Sequence, residues 1–248
     1  MDKIKYSYIP PSRGWLVVEN DRGETRFARS PFRGTHRACY QAIARCRDLV
    51  PADGLDSAIL VAGAYDKENE NHKQWQSVKA NFIGNKVRMP RGVLLIPAGY
   101  IKGDKKLEGV LVEKDWQARG IDDTLVVPDL SNWKQNDAGI YVPKVKGYEA
   151  VFVPSTAYKG KSFEKDGVAH AHLTSEGAEI FAKTARDKGL EPYNGFADMM
   201  KEISFPGRKV SSFTEDGDRL YLNGSSWSGG RYGCAFAVSS REASAPRN

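Results

Sequence analysis

Short apolar segments that end at prolines recur along the middle of this chain, and they constrain its fold more than any other feature. They repeat at intervals of about 11 to 15 residues, as strands and turns do in β-rich proteins. Since proline cannot donate a hydrogen bond to a neighbouring strand, it commonly marks a strand end. The pattern predicts a β-rich body. The predicted strands are residues 109–112, 124–127, 139–142 and 150–153, and Pro128, Pro143 and Pro154 follow the last three.

A hairpin and a helix are predicted near the start of the chain. Two short strands, residues 14–19 and 24–28, flank a turn in which Gly23 can take a positive φ. Thr35 can then cap a helix over residues 36–49, because apolar side chains in that stretch fall at helical spacing. These elements predict a small hairpin–helix unit.

The remaining elements are read from apolar runs and helix-end signals. Residues 57–64 form an unbroken apolar run that predicts a buried strand, and the polar residues 66–76 follow as a loop or an exposed helix. The clearest helix covers residues 175–187, with acidic residues in its first turns. The chain is therefore predicted to be α+β, with the hairpin–helix unit over residues 1–54 and a β-rich body over residues 55–248.

Positive charge is concentrated at the N-terminal end. The net charge is +6, and residues 1–50 hold ten Lys or Arg and five Asp or Glu, so this fifth of the chain carries most of the excess. Arginine forks suit phosphate groups, which makes nucleic-acid binding through residues 13–47 the alternative function. A solvated basic surface, or a contact with an acidic partner, is the other interpretation. The candidate residues are Arg22, Arg26, Arg29, Arg33 and Arg37.

The cysteines and the apolar content indicate the compartment. Cys39 and Cys46 lie seven residues apart, roughly 10 Å on a helix, which is too far for a disulfide. We expect these two and Cys234 to be free thiols, as in a reducing compartment. No apolar run approaches the roughly 18 residues of a membrane span, and residues 1–6 lack a signal-peptide core. The protein is expected to be cytoplasmic, or assembled into a virion, without a membrane partner.

Two histidine patterns are candidates for chemistry. On a strand, His170 and His172 would face one side and could bind a metal with Asp166 or Glu176, although hydrogen-bonded or solvated histidines are the alternative. His36 lies three residues before a cysteine, Cys39, on one predicted helical face, where a Cys–His nucleophile competes with a plain core cysteine.

No strong catalytic motif occurs in the sequence. The phosphate-binding glycine loops, the zinc-protease helix motif and the serine-hydrolase elbow are all missing. We therefore expect a non-enzyme without a metal or cofactor.

The C-terminal residues 220–248 carry the one family resemblance. A short apolar strand runs into Asn223-Gly224 and then into Ser225-Ser226-Trp227-Ser228. A glycine turn and a second strand, residues 232–238, follow, and the chain closes on Arg247-Asn248. This order resembles the end of a C-type-lectin-like domain, in the branch that includes formylglycine-generating-enzyme-like proteins, the Fibrobacter major paralogous repeat and phage variable receptor-binding proteins. The final Gly-Phe-Arg strand of those proteins has no counterpart here.

The resemblance implies a binding scaffold. Formylglycine-generating enzymes use cysteines at their active site, whereas only Cys234 lies in this segment. The implied function is non-catalytic recognition or assembly, as a structural or receptor-binding component of a phage-like particle that binds protein partners or a surface receptor and forms homo-oligomers. The alternative is that Trp227 is a core residue and its neighbours are turns. The implied ligand-binding residues are Ser225, Ser226, Trp227, Ser228, Arg231 and Tyr232.

Overall fold

Helices packed against two β-sheets make up the described part of the chain, and this confirms the predicted α+β class. The predicted strands at residues 109–112 and 124–127 lie outside that part. The computed structural model describes residues 5–9, 14–20, 23–69, 72–96, 133–135, 141–143, 150–154, 162–196, 207–225 and 233–240.

The elements follow the chain in a mixed order. The helices are α1 (His36–Ala44), α2 (Gly54–Tyr65), α3 (Lys73–Gly84) and α4 (Gly167–Asp187). The strands are β1 (Lys5–Ile9), β2 (Trp15–Asn20), β3 (Gly23–Ala28), β4 (Phe32–Gly34), β5 (Leu49–Pro51), β6 (Lys86–Ile96), β7 (Trp133–Gln135), β8 (Tyr141–Pro143), β9 (Ala150–Pro154), β10 (Glu191–Asn194), β11 (Gly207–Asp216), β12 (Arg219–Ser225), β13 (Gly233–Ala235) and β14 (Ala237–Ser239). None of the described helices is both long enough and apolar enough to cross a bilayer.

The first sheet joins the two ends of the chain. Its spatial order is β1-β2-β3-β14-β5, and every neighbouring pair is antiparallel. Val238 of β14 pairs with Phe27 on one side and Val50 on the other. The predicted hairpin is confirmed as β2 and β3. A C-terminal strand therefore completes the sheet of the hairpin–helix unit, while a domain boundary after residue 54 stays a prediction.

The second sheet contains nine of the described strands. Its order is β10-β12-β11-β6-β9-β8-β7, and β13 pairs with both β6 and β4. The strands β10 and β12 are parallel, whereas β11 is antiparallel to both β12 and β6. The register between β11 and β6 shifts between Val210 and Ser212, a bulge that leaves one extra residue on β11.

The strand predicted at residues 57–64 is wrong, because this run is the middle of α2. Asp53 begins the helix with a reciprocal capping box, in which its carboxylate accepts from the Asp56 backbone and the Asp56 carboxylate accepts from the Asp53 backbone. All twelve residues of α2 are buried. A helix that is buried on every side is apolar all round and shows no helical periodicity.

Two other predicted elements change their limits. The helix expected over residues 36–49 ends at Ala44, and Leu49 instead enters β5, where it pairs with Ser239. Thr35 does cap the helix, since its hydroxyl accepts from the Ala38 backbone nitrogen. Where a loop or an exposed helix was predicted over residues 66–76, a 3-10 turn forms at Lys67–Asn69 and α3 begins at Lys73, with Trp75 buried.

The helix predicted at residues 175–187 is the second half of α4. The helix is kinked at Thr174, whose φ of 68° and ψ of 169° are not helical. Such angles are strained for a β-branched side chain. The Thr174 hydroxyl accepts from the Gly177 backbone nitrogen at 3.2 Å, so it caps the second half. Beyond the kink, Phe181 stacks on Phe213 of β11 and holds α4 against the second sheet.

Candidate functional site

The predicted ligand-binding segment begins at the end of β12. Ser225 is the last residue of that strand. Residues 226–232 connect β12 to β13, so Ser226, Trp227, Ser228, Arg231 and Tyr232 lie outside the described residues. The surface of β12, which directly precedes this segment in the chain, is described.

Tyrosine and arginine side chains form a partly exposed cluster on β10 and β12, which we call the tyrosine–arginine face (Glu191, Tyr193, Arg219 and Tyr221). The Tyr193 and Tyr221 rings meet edge to face, with 5.2 Å between their centroids. The Arg219 guanidinium carbon lies 4.4 Å from the Tyr193 ring centroid. Arg219 Nε donates to Glu191 Oε2 at 2.7 Å.

The strand register explains why these four side chains meet. In the parallel β10–β12 pair, Glu191 lies beside Arg219 and Tyr193 lies beside Tyr221. Side chains alternate along a strand, so the core positions Leu220 and Leu222 place Arg219 and Tyr221 on the opposite face. The hydrophobic core therefore fixes the direction of the tyrosine–arginine face.

Arg219 is a fixed cation at the surface. Hydrogen bonds to Tyr221 and Glu191 raise the pKa of its guanidinium. The arginine side chain is 38% exposed, and the Glu191 side chain is 54% exposed. The face therefore presents a charged group and two aromatic rings in one arrangement.

The predicted nucleic-acid residues are distributed over several environments. Arg26 forms an ion pair with Glu24, and Arg33 donates from Nη2 to Asn81 Oδ1 at 2.9 Å. Arg29 is exposed just after β3. Arg22 lies outside the described residues, and Arg37 lies on α1 with a side chain that is not described. Arg26 and Arg33 thus already contact other side chains.

The histidine pair does not have the arrangement of a metal site. His170 and His172 lie in α4 and not on a strand, and residues two apart on a helix point in different directions. A ring nitrogen of His170 lies 2.6 Å from the Glu164 carbonyl oxygen. Within the described ranges, no group of three or more His, Cys, Asp or Glu could hold a metal ion. The expectation that both histidines share one face is wrong.

His172 instead forms a buried contact with a serine that the sequence gave no reason to select. Its Nδ1 lies 2.7 Å from Ser211 Oγ, at the bulge of β11. The ring also stacks on Phe196 at 5.1 Å with nearly parallel planes. Ser211 is 0% exposed and His172 is 1% exposed. A substrate cannot reach a serine in this position, so the pair joins α4 to the second sheet.

His36 and Cys39 are also interior groups. Burial lowers the pKa of His36 to about 3, so the imidazole is neutral at physiological pH. Burial raises the pKa of the Cys39 thiol, which donates to the Phe32 carbonyl oxygen at 3.0 Å. A catalytic cysteine needs an accessible, low-pKa thiolate. This geometry supports the core interpretation of Cys39.

A buried arginine lies beside these groups. Arg88 of β6 is almost fully buried, and burial lowers the pKa of its guanidinium. Its Nη1 donates to the Gly34 carbonyl oxygen at 3.3 Å, and its own carbonyl oxygen accepts from the Tyr40 hydroxyl at 3.0 Å. A Cβ on Gly233 would lie only 2.2 Å from Arg88 Nε. The guanidinium therefore fills the space that glycine leaves on β13.

Comparison with known proteins adds no family to this description. No protein-family model matches the chain, and neither a curated protein nor a solved structure does. The functional argument therefore rests on the residues of this chain.

Proposed function

We propose that this protein is a non-catalytic recognition or assembly protein and that the tyrosine–arginine face is part of its contact surface. The observation that carries the proposal is the fixed stack of Arg219 on Tyr193, with Tyr221 edge-on beside it. Tyrosine and arginine are the residues that most often anchor binding surfaces.

The residue types and contacts of this face favour recognition. Tyrosine offers a large contact area and loses little conformational entropy on binding. Arg219 is already held by Glu191, so less of its freedom is lost when a partner arrives. A partner with a flat apolar group next to an acceptor would satisfy both the rings and the guanidinium.

The interior groups give no support for catalysis. Cys39 and His36 are buried in the wrong protonation states for a nucleophile and its base. Ser211 and His172 are sealed from solvent. A contact surface is therefore the better proposal for the described part of the chain.

The lectin-like interpretation adds residues to this proposal. In it the segment from Ser225 to Tyr232 also contacts the partner, and a virion component that forms homo-oligomers would use such residues to bind a receptor or another subunit. The phage context rests on the family resemblance alone.

The test compares the wild-type protein with a Tyr193→Ser, Tyr221→Ser double variant. Self-association is measured by sedimentation velocity, and receptor binding is measured on an array of glycans. We expect the wild type to self-associate or to bind a glycan, and we expect that interaction to weaken at least about tenfold in the double variant. A Glu179→Gln variant is the matched control, because Glu179 is exposed on α4 and lies outside the face.

Two results would contradict the proposal. One is a wild-type protein that neither self-associates nor binds the array, and the other is a double variant that behaves like the wild type. Mixed single-stranded and duplex DNA is included as a further probe. Salt-sensitive DNA binding that is lost on Arg26→Ala with Arg33→Ala would favour the nucleic-acid alternative.

A further inference from the structure

A cleft of about 320 Å³ opens between α2, the 3-10 turn, α3 and the end of α4. It involves none of the residues of the tyrosine–arginine face. It combines an apolar wall with two lysines. Its lining includes Tyr65, Asp66, Asn69, Lys79, Ile83 and Lys188.

The apolar wall is preformed. The Tyr65 hydroxyl donates to Glu215, and its ring packs at 6.2 Å from the Phe82 ring. Burial and the contact with Glu215 raise the pKa of Tyr65, so the hydroxyl stays a donor. Ile83 completes the wall. It is 53% exposed, and no other large apolar side chain is exposed in the described part of the chain.

Positive charge lies beside this wall. Lys79 Nζ lies 4.9 Å from the centroid of the Tyr65 ring, and Lys188 lies in the turn after α4. Among the described residues, neither ammonium group has a carboxylate within ion-pair distance. Asp66 is the one acidic side chain in the lining, and its Oδ1 accepts from the Glu68 backbone nitrogen at 2.7 Å.

The amide of Asn69 is also engaged at the base of the cleft. Its Nδ2 donates to the Gly63 carbonyl oxygen at 2.9 Å, which fixes the turn between α2 and α3. The cleft therefore combines the Tyr65 ring with polar groups that are already hydrogen-bonded and with two lysines. Among the described residues, neither lysine forms an ion pair, and Asp66 is the one carboxylate in the lining that offsets part of their charge. Such a cleft discriminates by charge, because ammonium groups beside an apolar surface favour an anion over a cation or a neutral group.

We propose that this cleft binds a carboxylate carried on a small apolar body. The carboxylate lies between Lys79 and Lys188, and the apolar body packs on the Tyr65 ring and Ile83. The volume is at the lower end of the range for small-molecule sites, about 300 to 1,000 Å³, so one ring with a short acidic arm fills it.

The proposal is tested by titrating the full chain with three probes of one shape: phenylpropionate, phenylpropanol and phenylpropylamine. Carbon-labelled isoleucine methyl groups report binding by NMR, with Ile83 as the local reporter. We expect phenylpropionate to shift the Ile83 signal and to bind at least about fivefold more tightly than the alcohol, and the amine to bind least. Added salt weakens the acid alone.

Substitutions of the two lysines test whether the carboxylate binds between them. Lys79→Gln and Lys188→Gln remove the charge and keep a polar side chain that is one atom shorter, and each is expected to weaken phenylpropionate binding about tenfold. Lys73→Gln is the control, because Lys73 is exposed on the same helix and does not line the cleft. All three positions are at the surface or only partly buried, so the variants should fold.

The outcomes separate the possible sources of the carboxylate. Tighter binding of a short peptide that ends in phenylalanine would place the carboxylate at the C-terminus of a partner chain, whereas tighter binding of the free acid would indicate a small metabolite. Equal binding of acid, alcohol and amine would overturn the proposal, as would an Ile83 signal that does not move. Since no residue of the tyrosine–arginine face is involved, this result is independent of the proposed function.

Discussion

Gly54 lies so close to the main chain of His172 that a side chain does not fit between them. A Cβ built on Gly54 would stand 1.6 Å from the His172 carbonyl oxygen and 2.9 Å from the Leu173 Cα. The first residue of α2 thus contacts the kink of α4. A Cβ built on Gly177, further along α4, would lie 3.4 Å from the Leu55 Cα, which is an ordinary van der Waals contact.

Substitution of Gly54 tests this helix contact. Gly54→Ala should lower the free energy of unfolding by at least about 3 kcal/mol, because two backbones must move apart to admit the methyl group. Urea unfolding followed by circular dichroism measures the loss. Gly217→Ala is the control, since its φ is +61° with nothing within 4 Å of the new methyl group, and it should cost only about 1 to 2 kcal/mol. Equal losses would refute the close contact.

Gly233 and Arg88 should be energetically coupled. Gly233→Ala places a methyl group 2.2 Å from Arg88 Nε, and we expect a loss of about 2 kcal/mol or more. In an Arg88→Met background the guanidinium is gone, so the same substitution should cost less. A double-mutant cycle should give a coupling of at least about 1 kcal/mol. Additive losses would show that the methyl group is accommodated in another way.

The Ser211–His172 contact should contribute to stability. Ser211→Ala removes the hydroxyl that contacts the buried Nδ1 of His172, and we expect a loss of about 1 to 3 kcal/mol in the free energy of unfolding. Ser212→Ala is a matched control, because Ser212 is equally buried and its hydroxyl donates to the Asn223 carbonyl oxygen at 3.3 Å. Removing that longer bond should cost less. A serine-directed phosphonate should label neither serine in the native protein.

The three cysteines should react in a fixed order. Burial raises the pKa of Cys39 and raises that of Cys234 to about 12, so both are unreactive thiols at neutral pH. Cys46 is only half-buried. A disulfide reagent should modify one thiol quickly in the native protein and the other two only after unfolding. Rapid modification in a Cys46→Ser variant would contradict this order.

His36 should make the fold sensitive to acid. Its pKa is about 3 when folded and 6.5 when it is free of the fold, so the unfolded chain binds an additional proton between these values. The contribution of His36 is complete above pH 6.5 and is lost as the pH falls towards 3, with a slope of up to about 1.4 kcal/mol per pH unit. His36→Asn and His36→Phe should both reduce that slope. An unchanged slope in a folded variant would show that His36 is not the titrating group.

Local signals in the sequence were sufficient for several elements. The hairpin of β2 and β3 and the Thr35 cap were predicted because their signals lie within a few residues of one another. The second half of α4 was predicted for the same reason, from its acidic first turns. These interactions need no partner from a distant segment of the chain.

The elements that were mispredicted or missed depend on distant partners. The apolar run inside α2 fits a strand and a buried helix equally well, although the Asp53 and Asp56 capping pair was a signal for the helix. Leu49 left the predicted helix because β14, almost two hundred residues away, offers hydrogen bonds to β5.

The tyrosine–arginine face and the cleft also depend partly on local signals and partly on distant partners. The alternation of Arg219 and Tyr221 with two leucines was visible in the sequence and fixes which way they face. The pairing of Tyr193 with Tyr221 was not, because a parallel neighbour carries no local turn signal. The cleft joins Tyr65 and Lys79 from two helices with Lys188 from the turn after a third, and only packing decides which of these surfaces meet.

The sequence by itself determined the α+β class, the local caps and turns, and the excess of positive charge in residues 1–50. The tertiary structure alone decided which side chains share a surface, that His170 and His172 point apart, and that Gly54 meets His172. The physical reason is the separation in sequence between the groups that interact. Caps and turns depend on neighbouring backbone groups, whereas burial and shared surfaces depend on residues that become neighbours only when the core has formed.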